Sequence, residues 1–306
     1  MPNLITPMRR LAAALLAFAA LGAAPSAFSA DDTGNGRVLI IASAADTLEL
    51  RAGKRISTGT YLNELAIPAK AIIAAGYDIV LATPTGTKPV IDARSRQASH
   101  FGGDEVALHE AEEFFATHPA MQQSRSLRAV KDAGLDEYAA VFVPGGHAPI
   151  TDLARDADFG AILRHFHERA KPTALLCHAP IALIASVPYP AAFHTAMEAG
   201  NAPGAAQAAK GWPYAGYRMT VFSNEEEQGV ETRTFQGRLK FYAVDALEAA
   251  GGRVTTASKP FEPNVVHDRE LITGQNPRSD HALAAALVAA LEAQTPQISS
   301  TDSDAR

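Results

Sequence analysis

Four largely apolar runs, each of strand length, constrain the fold of this 306-residue chain more than any other feature. They occupy residues 37–43, 77–82, 139–143 and 171–176. An apolar run without alternation is typical of a strand buried on both faces, as in a parallel sheet. Residues 61–75 have helical apolar spacing and end at Gly76, so the first two runs form a strand–helix–strand unit. Pro68 inside that helix predicts a kink or a break near Ile67.

The remaining segments continue the pattern. Helices are predicted at 159–171, 180–186, 240–250 and 279–293, a strand at 217–223, and a hairpin at 265–273 around Asp268-Arg269. Residues 188–216 are rich in Pro, Gly and Ala and predict a partly helical insertion. The sequence therefore predicts one α/β domain over residues 36–293, with a mainly parallel central sheet and helices on both faces.

The two ends of the chain are predicted to lie outside the folded domain. Residues 1–30 combine Arg9 and Arg10, an apolar run and a small-residue segment, which is the pattern of an export signal. Residues 294–306 are Ser- and Asp-rich, and we expect them to be a disordered tail. Removing the signal takes two arginines and no acids, so the formal charge of −6 becomes more negative. An acidic protein without a basic stripe is a poor nucleic-acid or membrane binder. We expect a periplasmic or secreted protein without stable membrane association.

Cys177, the one cysteine of the chain, follows the fourth apolar run and precedes a predicted helix. A strand, a sharp turn with a nucleophile and a helix make up a nucleophile elbow. Placement at a helix N-terminus would also lower the pKa of the thiol. The pattern by itself leaves open whether Cys177 is reactive or a buried, inert residue, because free cysteines are often buried.

Several residues are candidate partners of that thiol. His178 follows it directly and is placed to act as a base if the turn is sharp. The acidic run Glu225-Glu226-Glu227 follows the predicted strand at 217–223, although the pattern does not say which carboxylate points inward. Glu64, on the helix after the first strand, lies at the same predicted sheet edge.

The strand at 139–143 ends in Pro144-Gly145-Gly146-His147, where paired glycines allow close backbone approach and free N–H groups. We expect an oxyanion hole there, formed by the amides of Gly146 and His178, with Gly145 and His147 lining the substrate site. For a second, histidine-containing segment we expect a solvated polar helix rather than a metal site, because its spacing lacks a tight ligand pattern such as H-E-x-x-H. That segment contains His100, His109, Glu110, Glu113 and His118.

Several stretches, taken together, match one family. They are residues 58–65 (TGTYLNEL), 88–92 (KPVID), 143–147 (VPGGH), 177–183 (CHAPIAL), 220–227 (TVFSNEEE) and 271–277 (LITGQNP). The chain resembles the ThiJ/PfpI superfamily, with its class I glutamine amidotransferase-like, flavodoxin-like fold, and within it the heat-shock chaperone and glyoxalase III branch. Two departures are Ala179, where the family usually has Gly, and Ala148, where many relatives have Gly.

The resemblance implies a reactive Cys177 in a Cys-His-acid triad with His178. Glu227 is implied as the acid, with Glu226 as the alternative, and Glu64 as the carboxyl that contacts the thiol. It also implies a glyoxalase III-type enzyme that needs neither a cofactor nor glutathione. Its substrates would be small 2-oxoaldehydes such as methylglyoxal, converted to hydroxy acids such as D-lactate, with protein deglycase or chaperone activity as an addition. Assembly as a homodimer is left open.

Two other functions use the same residues. The same triad supports acyl transfer, so the chain could instead be a cysteine-dependent amidase or peptidase. A holdase chaperone or redox-stress protein of the cell envelope would use Cys177 as an oxidation switch rather than as a catalyst.

Overall fold

A computed structural model of the chain describes residues 35–294. The strands in this range are β1 (Arg37–Ile41), β2 (Thr47–Glu49), β3 (Arg55–Ser57), β4 (Asp78–Thr83), β5 (Arg125–Ser126), β6 (Tyr138–Val143), β7 (Thr173–Leu176), β8 (Arg218–Met219), β9 (Arg253–Val254), β10 (Val265–Asp268) and β11 (Leu271–Gly274). The α-helices are α1 (Leu62–Ala74), α2 (Glu105–Thr117), α3 (Pro119–Gln122), α4 (Leu127–Ala133), α5 (Ala157–Glu168), α6 (Pro190–Glu198), α7 (Ala202–Ala208), α8 (Asn224–Val230), α9 (Ala243–Ala249) and α10 (Asp280–Gln294).

A seven-stranded sheet organises these elements, in the order β10-β11-β7-β6-β1-β4-β5. Its strand pairs are parallel except for the β10–β11 hairpin. The predicted α/β fold with a mainly parallel sheet is confirmed, and so is the hairpin. The carboxyl ends of β1, β6 and β7 lie side by side at one edge, which is where open α/β folds bind ligands.

The two faces of the sheet carry separate hydrophobic clusters, because successive side chains of a strand point to opposite faces. Along β1, Val38 and Ile40 pack with residues of α1 and α10, whereas Leu39 and Ile41 pack with residues of α5. All four side chains are fully buried. Helices therefore cover both faces, and this explains why the strands read as unbroken apolar runs.

Three local predictions have different outcomes. Helix α1 is continuous through Pro68, so the break that was one of the two expectations near Ile67 does not occur, although a proline cannot donate the bond that the Glu64 carbonyl would accept. The predicted helix after Cys177 is present and is a 3-10 helix, Ala179–Ser186. The predicted strand at 217–223 shrinks to β8, which pairs with β9 in a separate two-stranded sheet.

The predicted insertion at 188–216 contains α6 and α7. The predicted export signal lies outside the described residues, and so does the predicted tail beyond Gln294, the last residue of α10. Among the helices of residues 35–294, none has both the length and the apolar character needed to cross a bilayer.

Gly160 on α5 lets this helix pack directly against the 3-10 helix that follows Cys177. A Cβ at Gly160 would lie 2.2 Å from the carbonyl oxygen of Ala185, a backbone atom that cannot move alone. We predict that Gly160→Ala destabilises the protein by about 1–3 kcal/mol, as overpacking does. The measurement is the free energy of unfolding in urea.

The matched control is Gly229→Ala on α8. Its new Cβ would meet the end of the flexible Arg233 side chain, which can move away. Because alanine also favours helix by up to about 1 kcal/mol, this variant should be at least as stable as the wild type. Equal stability of the two variants would contradict the predicted packing.

Candidate active site

Cys177 lies directly after β7 in a left-handed backbone conformation, with φ of 62°. This conformation is uncommon for a residue with a side chain and costs about 1–3 kcal/mol. Two backbone hydrogen bonds hold it: the Cys177 N–H donates to the Gly274 carbonyl (2.8 Å), and the Cys177 carbonyl accepts from the Phe222 N–H (3.0 Å). The turn is the sharp elbow that the sequence predicts.

The elbow brings the thiol and the next side chain together. The Cys177 Sγ lies 3.3 Å from Nδ1 of His178, and His178 Nε2 lies 2.6 Å from Oε2 of Glu227. Because an ionised carboxylate only accepts, the proton of His178 lies on Nε2 and Nδ1 is free to accept from the thiol. The three side chains are thus arranged in the order of a nucleophile, a base and an orienting acid.

The first turn of α8 decides which glutamate reaches His178. Glu226 completes a capping box with Ser223 and accepts hydrogen bonds from Phe261, Gln275 and Asn276, so its carboxylate is fully engaged away from the histidine. Glu225 is exposed, and Glu227 alone of the three contacts His178. The alternative acid Glu226 therefore has a structural position rather than one beside the base.

His147 lies against the candidate triad, a contact that the sequence did not predict. It is buried, its Nε2 lies 3.0 Å from Oε1 of Glu227, and its ring centroid lies 3.7 Å from that of His178. Its Nδ1 has no hydrogen-bond partner. His147 thus contacts the acid and the base of the candidate triad. The Gly-Gly-His motif indicated that His147 belongs to the site, but it did not predict the contacts with Glu227 and His178.

Glu64 projects from the first turn of α1 toward the sulfur of Cys177. Its Oε2 accepts a hydrogen bond from the Gly145 N–H (3.1 Å), while Oε1 is buried without a partner. Burial raises the pKa of Glu64 to about 8, although contact with the Cys177 thiol and the Gly145 amide lowers it in part. At neutral pH Glu64 is therefore a neutral carboxylic acid beside the thiol.

The two glycines of the motif have separate tasks. The Gly145 amide donates to Glu64 and is therefore not free to bind a substrate oxygen. A Cβ there would lie 2.5 Å from Glu64 Oε2 and 2.7 Å from the Cys177 Cβ, so only glycine fits. The Gly146 amide donates toward the Cys177 sulfur and is the candidate oxyanion donor.

The charge states of the pair follow from burial. Burial, reinforced by the nearby Glu64, raises the pKa of Cys177 well above its ordinary value. Burial and then the neighbouring His147 lower the pKa of His178 to about 4. The expected lowering of the thiol pKa by a helix N-terminus is wrong, because desolvation outweighs the small field of a 3-10 segment. The resting pair is therefore a neutral thiol beside a neutral imidazole.

Glu227 carries the negative charge of the site. Burial opposes ionisation, but the histidines on its two oxygens outweigh this, so the pKa of Glu227 lies below its ordinary value. Aromatic rings pack against the two histidines that contact Glu227. The ring centroids of Phe222 and His178 lie 4.3 Å apart, and those of Phe235 and His147 lie 4.8 Å apart. Cys177 is only 2% exposed, so almost none of its surface is open to solvent.

His147, His178 and Glu227 also form a group that could bind a metal ion. Their potential ligand atoms lie within 4.8 Å of one another, and all three residues are buried. Both Nε2 atoms already contact Glu227, so an ion would have to replace two protons. The histidine-rich segment 100–118 forms no comparable group within residues 35–294.

The raised pKa of Glu64 makes folding stability depend on pH. A carboxyl whose pKa is higher in the folded than in the unfolded protein adds stability that is present at low pH and is lost as pH rises. With an ordinary value of 4.5 and a folded value of about 8, this loss falls between those two pH values. The loss of folding stability across this window amounts to roughly 5 kcal/mol at most, at 1.36 kcal/mol per pKa unit.

We predict that Glu64→Gln flattens the dependence of the unfolding free energy on pH across that window. Glutamine keeps the acceptor for the Gly145 amide but does not titrate. Urea denaturation at several pH values checks this, with the exposed Glu225→Gln as the control. Parallel curves for the wild type and Glu64→Gln would contradict the assignment.

Comparison with known proteins places this site in a family context. The DJ-1/PfpI family model matches residues 56–201, a range that contains Glu64, the Gly-Gly-His motif and the elbow. A relative from Staphylococcus aureus (strain JH9), named protein/nucleic acid deglycase HchA, is 26% identical over 255 residues, which cover 82% of this chain and 78% of the relative.

Two solved structures share the fold. One is the rapid encystment protein of 24 kDa from Francisella tularensis, with a TM-score of 0.63, 24% identity, and coverage of 84% of this chain and 99% of that chain. The other is glyoxalase III from Candida albicans, with a TM-score of 0.63, 20% identity, and coverage of 84% and 98%. The elbow and its partner residues come from the sequence stretches that resemble this family. The chain belongs to the ThiJ/PfpI superfamily, which the DJ-1/PfpI family model represents.

Proposed function

We propose that the protein is a cofactor-independent glyoxalase III-type enzyme that converts small 2-oxoaldehydes such as methylglyoxal to hydroxy acids. The observation that carries this is the continuous contact from the Cys177 sulfur to Nδ1 of His178 and from Nε2 of His178 to Glu227. A nucleophile with an adjacent base is what addition to an aldehyde followed by proton transfer requires.

The reaction begins with addition of the thiol to the aldehyde carbon. A sulfur–carbon bond forms, the thiol proton moves to Nδ1 of His178, and the carbonyl electron pair moves to oxygen. Glu227 stabilises the resulting imidazolium at 2.6 Å. The Gly146 amide donates toward the oxyanion, and the neutral Glu64 supplies the proton that turns it into a hydroxyl. The proton on Nδ1 of His178 then passes to the Glu64 carboxylate, so Glu64 is again neutral and His178 is again a free base for the next stage. The product of this step is a hemithioacetal.

The second stage is an internal redox step that needs no external oxidant. His178 removes the hydrogen on the former aldehyde carbon as a proton, giving an enediol, and returns a proton to the neighbouring carbon. The first carbon is oxidised to a thioester and the second is reduced to an alcohol. Water then attacks the thioester, releasing the hydroxy acid and restoring the Cys177 thiol, so one water is consumed for each 2-oxoaldehyde.

Deglycase activity is the second candidate, because the relative that covers most of this chain has that name. A hemiaminal adduct of an amine with methylglyoxal would present the same carbon to the Cys177 thiol. A sulfur–carbon bond would form, the carbon–nitrogen bond would break, and the amine would leave with the thiol proton, which gives the same hemithioacetal and then the same later steps. Release of free amine from methylglyoxal-treated peptide distinguishes this from turnover of methylglyoxal itself.

We also propose export, which fractionation of cells that express the full chain tests directly.

We predict that purified protein forms lactate from methylglyoxal, and that Cys177→Ala removes the activity. Glu227→Gln should lower kcat/KM by about 10²–10⁴, which is the rate factor that general acid–base catalysis usually contributes. The reason is that the amide no longer fixes the proton on Nε2 of His178. The assay is enzymatic determination of D- and L-lactate.

The neighbouring acids supply matched controls. Glu225→Gln should leave both activity and stability unchanged, whereas Glu226→Gln should lower stability through its lost hydrogen bonds rather than through the chemistry. Lactate formation by Cys177→Ala at the wild-type rate would contradict the proposal. Turnover of amide or peptide substrates without any lactate would instead favour a cysteine hydrolase.

A further inference from the structure

A cavity apart from the thiol site lies between the β2–β3 hairpin and the loop of residues 90–93. Its volume is about 560 Å³, which is within the range of small-molecule sites. Residues 46–47, 55–58 and 90–93 line it. The reaction above uses none of these residues, so the cavity needs an explanation of its own.

A strap of chain, residues 58–61, separates this cavity from the active site. On one side of the strap, a Cβ at Gly59 would lie 2.5 Å from the carbonyl oxygen of Val90 in the cavity wall. On the other side, the Gly59 carbonyl oxygen would lie 2.2 Å from a Cβ at Gly146, next to the elbow. Cys177 does not line the cavity. A ligand in the cavity would therefore not occupy the thiol site.

The wall of the cavity contains a buried polar group without a partner. Thr58 is 3% exposed, and its backbone N–H donates to the Asp46 carbonyl (2.8 Å). Its side-chain hydroxyl, in contrast, has no hydrogen-bond partner among the described residues. Buried hydroxyls are nearly always hydrogen-bonded, because an unmade bond costs stability. The Thr58 hydroxyl is thus available to a ligand that enters the cavity.

The free charged groups of the wall have opposite signs. Asp46 is exposed, and only one of its carboxylate oxygens accepts a hydrogen bond within residues 35–294, from Thr47 (2.9 Å). Arg55 is exposed and makes no hydrogen bond or ion pair in the same range. Asp92 is already paired, because Arg94 donates to both of its oxygens. One free carboxylate oxygen and one free guanidinium favour a ligand without net charge.

Three other classes of ligand fit these groups less well. A metal cation would meet the Arg55 guanidinium, and an anion would meet the Asp46 carboxylate. A purely apolar ligand would leave the Thr58 hydroxyl buried and unpaired. A ligand with several hydroxyl groups satisfies all three side chains, because each hydroxyl both donates and accepts.

We propose that this cavity binds a neutral monosaccharide or polyol. Thr58, Asp46 and Arg55 bind hydroxyl groups of the ligand, and the Val90 side chain packs against its C–H groups. Val90 suits this contact because it is 45% exposed, one of the few large apolar side chains with such exposure among residues 35–294. The proposal goes beyond the proposed function and does not depend on any reaction of the thiol.

The experiment is an NMR titration of the full-length protein with D-glucose. The methyl signals of Val90 and Ile91, assigned by their loss in Val90→Ala and Ile91→Ala, report on the cavity wall. We expect them to shift saturably, with a dissociation constant of about 1–10 mM, as for weakly bound small ligands. D-gluconate, as an anion, and calcium chloride, as a source of a cation, should produce no comparable shifts.

Substitutions in the wall test the contacts. Thr58→Val keeps the shape but removes the hydroxyl, so we expect D-glucose to bind about 3–10-fold more weakly, the effect of one hydrogen bond. Its unfolding free energy should be unchanged or higher, because the hydroxyl has no partner in the free protein. Thr58→Ser, which keeps the hydroxyl, should bind like the wild type. Arg55→Met, at an exposed position, should weaken binding by a similar factor and serves if Thr58→Val does not fold.

Two variants outside the cavity are the controls. Thr195→Val, at an exposed position on α6, should bind D-glucose like the wild type. Cys177→Ala should do the same, since the strap separates the two sites. Loss of binding in Cys177→Ala would place the ligand in the thiol site and overturn the proposal.

Three further results would overturn it. The first is methyl signals that do not move at D-glucose concentrations about tenfold above the expected dissociation constant. The second is unchanged affinity in both Thr58→Val and Arg55→Met. The third is larger shifts with D-gluconate or calcium than with D-glucose, which would indicate an ion site. Absence of lactate formation from methylglyoxal would refute the proposed function and leave this titration unaffected.

Discussion

The backbone of Cys177 is the point on which the site depends. Its left-handed conformation is held from one side by the carbonyl of Gly274 at the end of β11 and from the other by the N–H of Phe222. The first bond fixes the elbow to the sheet. The second positions the segment that leads into α8, and α8 carries Glu227 to His178. Strain at one residue is thus offset by hydrogen bonds that also assemble the catalytic group.

Burial determines how protons are distributed in that group. Desolvation keeps Glu64 and Cys177 protonated and His178 neutral, and a single negative charge is held at Glu227 by the two histidines. This arrangement differs from that of cysteine enzymes in which a cationic group keeps the nucleophile ionised at rest.

The sheet and the elbow could be predicted from sequence because both are written in local patterns. Unbroken apolar runs specify strands covered on both faces, and a cysteine between such a run and a helix specifies the turn. The residue pattern alone could not choose Glu227 over Glu226, because consecutive residues of one helical turn differ only in the direction of their side chains, and the choice came from the family resemblance. The second histidine on Glu227 was missed for a related reason. Residues 147 and 227 meet only through tertiary packing, and a Gly-Gly-His motif predicts an oxyanion loop equally well.

The central claim is that Cys177 rests as a thiol opposite the unprotonated Nδ1 of a neutral His178. The most direct test is the ¹⁵N chemical shifts of the His178 imidazole in the full-length protein at neutral pH, assigned by their loss in His178→Asn. We predict a proton on Nε2, bound to Glu227, and none on Nδ1. Two protonated nitrogens, the signature of an imidazolium paired with a thiolate, would contradict the account.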